Sequence, residues 1–71
     1  MNTSELFGKE VMDVNINRIG KVSDIEFSTS TWKISRLIIK AGLAKKHSVG
    51  VEDIDRIGDG ITLNIEEDKL K

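Results

Sequence analysis

Cysteine, proline and tyrosine are absent from this 71-residue chain, and histidine and tryptophan occur once each. Without cysteine there are no disulfides and no thiolate metal sites. One histidine cannot build an ordinary zinc site, which takes about four ligands. No apolar run approaches the ~20 residues of a membrane span, so no direct membrane insertion is expected. The N-terminal stretch MNTSELFGKE has neither a basic leader nor an apolar segment, so it does not read as a signal peptide. The expected location is cytoplasmic, with a membrane-bound partner left open. Asn2-Thr3-Ser4 fits the N-glycosylation pattern but carries no weight without secretion.

A chain of this length is expected to form one domain, 1–71, with a core over 5–65 and a charged tail, 66–71, that frays. It buries only ~60% of its unfolded surface, so a monomeric core is marginal. Small folds compensate with disulfides, metals or partner chains. The composition leaves self-association, and a homodimer is expected.

Charge is nearly balanced at −1 but unevenly spread. Residues 1–40 hold six basic and five acidic side chains, 41–51 hold only Lys45 and Lys46, and 52–71 hold three basic against seven acidic. Nucleic-acid binding calls for a concentrated basic face. The only basic cluster in the linear sequence is Lys45-Lys46-His47, which reads as a solvated loop. Nucleic acid is not the expected partner.

Short alternating segments dominate. The segment 3–8, TSELFG, suits one helical turn, capped by Thr3 or Ser4 and ended by Gly8. Residues 9–16 and 19–28 read as strands, joined by a turn in which Asn15 and Asn17 tolerate left-handed backbone. Val22 is out of phase with Ile25 and Phe27, which requires a bulge near Ser23-Asp24. In the strand 33–41, Ile34 and Ile38 take one face, and Leu37 and Ile39 the other, so both faces need cover. A short strand follows at 48–51. Val51, Ile54 and Ile57, spaced by three, suit a tight helical turn. Residues 61–66 alternate cleanly, with Ile61, Leu63 and Ile65 inward. The fold class expected is all-β, a small closed or partly open antiparallel β-barrel of five or six strands with one or two short helical turns.

Gly58-Asp59-Gly60 poses a choice between phosphate cradle, cation loop and corner. A cradle needs a third glycine, where Leu63 stands, and a following helix, where a strand follows. A calcium loop begun at Asp53 puts Ile57 and Asn64 at ligand positions, and Asn64 replaces the bidentate glutamate. Asp-Gly between apolar runs is a hairpin signal of type I′, so the stretch reads as a corner.

The stretches LFGKEVMDVN, RIGKVSDIEF, KISRLIIK and VGVEDIDRIGDGITL, in that order, resemble the PRC-barrel family. Among the matching positions are Gly8, Val11, Gly20, Val22, Asp24, Leu37, Asp53, Ile54, Ile57, Gly58 and Asp59. The resemblance covers roughly residues 5 to 65. It implies a six-stranded barrel that acts as a non-catalytic adaptor, binding other proteins and often itself. Related domains occur in the H subunit of photosynthetic reaction centres and in a ribosome-maturation factor. Stand-alone versions are similar to short archaeal proteins, some of them linked to cell division through protein contacts. The ribosomal factor pairs its barrel with another domain; no second domain is expected within these 71 residues, which weighs against a ribosomal role.

Catalysis finds no constellation here, because His47 sits beside two lysines and no nucleophile elbow is present. No cofactor is expected. The reading is a protein–protein interaction module, with an RNA- or ribosome-associated barrel as the alternative. Trp32 suits a binding hot spot or a plug in the barrel mouth. By period two, Ile34, Arg36 and Ile38 share a side of their strand, and they join Trp32 as candidate protein-binding residues.

Overall fold

The computed structural model describes residues 1–70. Six strands form one sheet: β1 Glu10–Met12, β2 Arg18–Phe27, β3 Ile34–Ala41, β4 Lys45–Gly50, β5 Ile54–Ile57 and β6 Ile61–Leu63. Their order is β4-β3-β2-β1-β6-β5, curled into a half-barrel with β4 and β5 at the edges. Single 3-10 turns at Thr3–Glu5, Val51–Asp53 and Glu67–Lys69 are the only helical pieces among the described residues. The all-β barrel expectation holds, with one amendment. The β1–β6 pair is parallel, with Val11 opposite Ile61 and Met12 opposite Thr62, so the sheet is mixed. The turn at Val51–Asp53 and strand β5 carry the chain back around the barrel, and β6 therefore enters in the direction of β1.

Alternation sets the core. Val11, Val22, Leu37, Ile39, Val49, Ile61 and Leu63 are nearly inaccessible, and Leu6 and Ile19 close around them. Each such aliphatic side chain contributes about 1.5–3 kcal/mol on burial. On β3 the inward pair is Leu37 and Ile39; Ile38 stays half-buried on the outer face.

Two bulges shape the β2–β3 pair. Val22 pairs with Ile39 and Asp24 with Ile38, leaving Ser23 as the extra residue. This is the expected bulge, and it returns Ile25 to the core side opposite Leu37. The second lies on β3. Glu26 pairs with Arg36 and Phe27 with Ile34, so Ser35 has no counterpart, and its hydroxyl donates to the Glu26 carbonyl at 3.3 Å. An extra residue resets the side on which its neighbours emerge. Ile34 accordingly packs against the core cluster, and the expected common side for Ile34, Arg36 and Ile38 is corrected.

Three turns depart from the sequence reading. Between β1 and β2 the left-handed residue is Ile16, at φ 65°, not either asparagine. The buried Asp13 carboxylate is the cause. Its Oδ1 accepts the backbone N–H of Asn15 at 2.9 Å and of Asn17 at 2.8 Å. Both N–H groups must turn inward, which leaves the reversal to the residue between them. Lys45, Lys46 and His47 belong to β4 rather than a loop, since the hairpin turns tightly over 42–44 with Gly42 at φ 72°. Gly58-Asp59-Gly60 is a corner, spanning the Ile57–Ile61 pair. It has three residues and no positive φ, so it is not type I′. Gly58 N–H donates to the Gly60 carbonyl at 2.8 Å, and Lys9 Nζ braces the Gly58 carbonyl at 2.6 Å.

The expected fray differs from what residues 66–70 do. Glu67 N–H donates to Asp13 Oδ2 at 3.0 Å, Val14 N–H to the Ile65 carbonyl at 3.0 Å, and Leu70 packs against the core. One buried carboxylate thus fastens both the first turn and the last. Lys71 lies outside the described residues.

Candidate functional site

The connector between β2 and β3 builds an aromatic surface at one end of the barrel. Ser28 organises it. Its carbonyl accepts Trp32 N–H at 2.7 Å, and its N–H donates to the Lys33 carbonyl at 2.9 Å. Its hydroxyl accepts Ser30 N–H at 3.2 Å. Trp32 itself turns left-handed, at φ 60°, a conformation uncommon outside glycine and asparagine. The braced loop lays the indole against Phe27, with ring centroids 5.7 Å apart and planes 24° apart. Trp32 stays 74% exposed and Phe27 55%, so the indole lies over the surface rather than inside the barrel. Together with Phe7, Ile25, Ile34 and Thr3 the pair lines a shallow groove of about 320 Å³.

The structure therefore divides the residues singled out from sequence. Trp32 and Ile34 meet at this groove. Arg36 and Ile38 do not, because the Ser35 bulge turns them to the outer face of the sheet. Arg36 is engaged with the edge strand: its Nε donates to Ser48 Oγ at 2.5 Å and its Nη2 to the Ser48 carbonyl at 3.3 Å. Phe7 and Phe27 are the residues sequence reading left out of the site. Their signal was present, since Phe27 ends a strand just before the polar connector that carries Trp32.

A second surface was invisible in the linear sequence. Lys21 pairs with Lys40 across β2 and β3, and Lys40 pairs with Lys46 across β3 and β4. Three lysines thus stand in one row on the outer face, all exposed. Directly opposed like charges destabilise a sheet pairing. The only ion pair among the described residues joins Arg18 to Glu10, at 3.5 Å, and involves none of the three lysines.

Two buried polar groups lie elsewhere. Burial raises the Asp13 pKa and is the largest single influence. The opposing hydrogen bonds from the Asn17, Glu67 and Asn15 backbone and the Asn17 side chain outweigh it, and hold the carboxyl below its ordinary value. His47 is buried beside Ile39, and its Nε2 has no partner among the described residues. Asp53, Asp55 and Asp59 do not converge, and no three metal-ligating side chains cluster among the described residues. Among the described residues no helix is long and apolar enough to cross a membrane.

A half-barrel of six short strands, with a stacked aromatic pair displayed at one end, is a small β-barrel module of the interaction type. The PRC-barrel domain model matches residues 1–70, and the chain belongs to the PRC-barrel family. No curated protein sequence matches it.

Proposed function

We propose that this protein is a non-catalytic adaptor that binds other polypeptides through its aromatic end, beginning with a second copy of itself. The observation that carries the reading is the Phe27–Trp32 stack, held out in water by a hydrogen-bonded loop. Apolar area left exposed contributes nothing to folding, yet it gives a partner a rigid, low-entropy anchor. The loop spends a left-handed residue to keep it there. A marginal core of this size gains from a second copy, and a twofold pairing would bury the same groove on both subunits. The resemblance to stand-alone archaeal proteins supports an assembly such as the cell-division machinery as the setting.

The RNA-binding alternative has weaker support. A stacking groove needs aromatics and cations side by side. Here the aromatic end and the lysine row are separated by about six residues of β3, or ~20 Å.

Affinity capture from native extract, with wild-type protein and Trp32→Ala as baits, tests the proposal. Loss of the captured proteins from the Trp32→Ala bait is expected, with the far-UV circular dichroism unchanged. Identical capture by both baits refutes the aromatic end as the binding surface.

A further inference from the structure

We infer that the other end of the barrel docks on the surface of an anionic lipid bilayer. Leu43 enters the interface, and the cations around it meet the headgroups. Because β2 and β3 are antiparallel, the start of β2, the end of β3 and the 42–44 turn lie together, away from the aromatic groove. At the tip of that turn Leu43 is 99% exposed. Gly42 beside it is left-handed and has open space around its Cα. The leucine projects, with no wall of a pocket against it.

The tip is bordered by cations. The Lys21–Lys40–Lys46 row crosses the sheet just behind it, and Lys45 follows the turn directly. A groove of about 360 Å³ opens alongside, lined by Arg18, Ile19, Gly20, Lys21, Lys40 and Gly42. Gly20 brings β2 close to β3, since a side chain there would collide with the Lys40 carbonyl. The groove is of a size for an anionic headgroup, with three cations on its walls. Carboxylates also stand nearby. Glu10 is paired with Arg18, Glu67 and Asp68 share a hollow with Lys45, Lys46 and His47, and exposed Asp24 sits opposite Ile38, beyond the lysine row.

A convex apolar tip ringed by positive charge matches one kind of partner, a plane whose anionic surface covers an apolar layer. A nucleic acid offers the charge without the apolar layer, and it would look for stacking rings, which lie at the opposite end. An acidic peptide would need a concave seat for its apolar residues, and here the apolar group is the protrusion. Docking of this kind needs no spanning segment. It leaves the aromatic end free, so the adaptor could hold a protein partner at a membrane.

Flotation with phosphatidylcholine vesicles, and with vesicles that also contain phosphatidylglycerol, tests the inference. Binding is expected to the anionic vesicles only, and is expected to fall steeply between ~0.05 and ~0.5 M salt. Lys40→Glu and Lys46→Glu should each lower partitioning about fivefold or more, and Leu43→Asn should lower it without altering the salt dependence. In a Trp32→Phe background, Leu43→Trp should give a blue-shifted emission on anionic vesicles and none with inorganic phosphate. Trp32→Ala should leave vesicle binding unchanged, and Lys40→Glu should leave protein capture unchanged, so this inference and the adaptor reading fail separately. No binding, equal binding to neutral vesicles, or displacement from vesicles by mixed RNA would each overturn it.

Discussion

Ile38 and Ile39 are neighbours on β3 with identical side chains, and their mutational costs should differ sharply. Ile39 is fully inaccessible, faces Val22 on β2 and His47 on β4, and lies within the cluster of Leu37 and Val49. Ile38 emerges on the outer face between Asp24 and Ser48 and is half-buried. Truncating Ile39 to alanine would remove buried carbons and leave a cavity, at about 2–5 kcal/mol. A single core in a chain of this size supplies no more than ~3–5 kcal/mol, so that variant would be largely unfolded. Valine is the informative substitution. Ile39→Val should cost about 1 kcal/mol, a fall in Tm of roughly 4–8 °C for a domain this small. Ile38→Val should cost under ~0.5 kcal/mol, as at other partly solvated positions. Urea titrations followed by far-UV circular dichroism would measure both, at one fixed protein concentration so that the proposed self-association contributes equally to each. An unchanged urea m-value would confirm that only stability moved. A larger loss for Ile38→Val than for Ile39→Val would invert the assignment of faces and refute the packing.

Two glycines should respond oppositely to alanine. Gly20→Ala meets the Lys40 backbone and should cost about 1–3 kcal/mol by strand displacement. Gly58→Ala finds open space and no positive φ, so thermal melts should show no loss of stability. The Asp13 carboxyl titrates below its ordinary value in the folded state. Its contribution is therefore present above the unfolded carboxylate pKa, near 3.9, and is lost as pH falls through the lower folded value. Asp13→Asn should be less stable than wild type near neutrality, with a gap that narrows in acid. Amide exchange at Glu67 should quicken in the variant, because that N–H loses its carboxylate acceptor.

Local signals carried much of the fold. The phase error between Val22 and Ile25 placed the Ser23 bulge, and strict alternation put Ile61 and Leu63 inside. The three-residue spacing of Val51, Ile54 and Ile57 was only partly right, since the 3-10 turn covers Val51–Asp53 while Ile54 and Ile57 lie in strand β5. What stayed hidden depends on partners distant in the chain. The parallel β1–β6 pair joins residues some fifty positions apart and has no local signature. Glu67 is held by Asp13 across 54 positions, so a charged terminus that reads as frayed is fastened. The Ser35 bulge interrupts a stretch whose alternation looks regular, and Ile34 changes sides with no mark in the sequence. The lysine row exists only once register sets Lys21, Lys40 and Lys46 opposite one another. Lys40 and Lys46 follow from the hairpin around Gly42, but Lys21 requires knowing which residue the Ser23 bulge expels.

The most direct test of the adaptor account is sedimentation velocity across micromolar concentrations, for wild type and for the double variant Phe27→Ser, Trp32→Ala. The wild-type chain should pass from monomer to dimer as concentration rises, while the variant stays monomeric with unaltered circular dichroism. A wild-type chain that remains monomeric at high micromolar concentration, or a variant that dimerises equally well, would contradict the account.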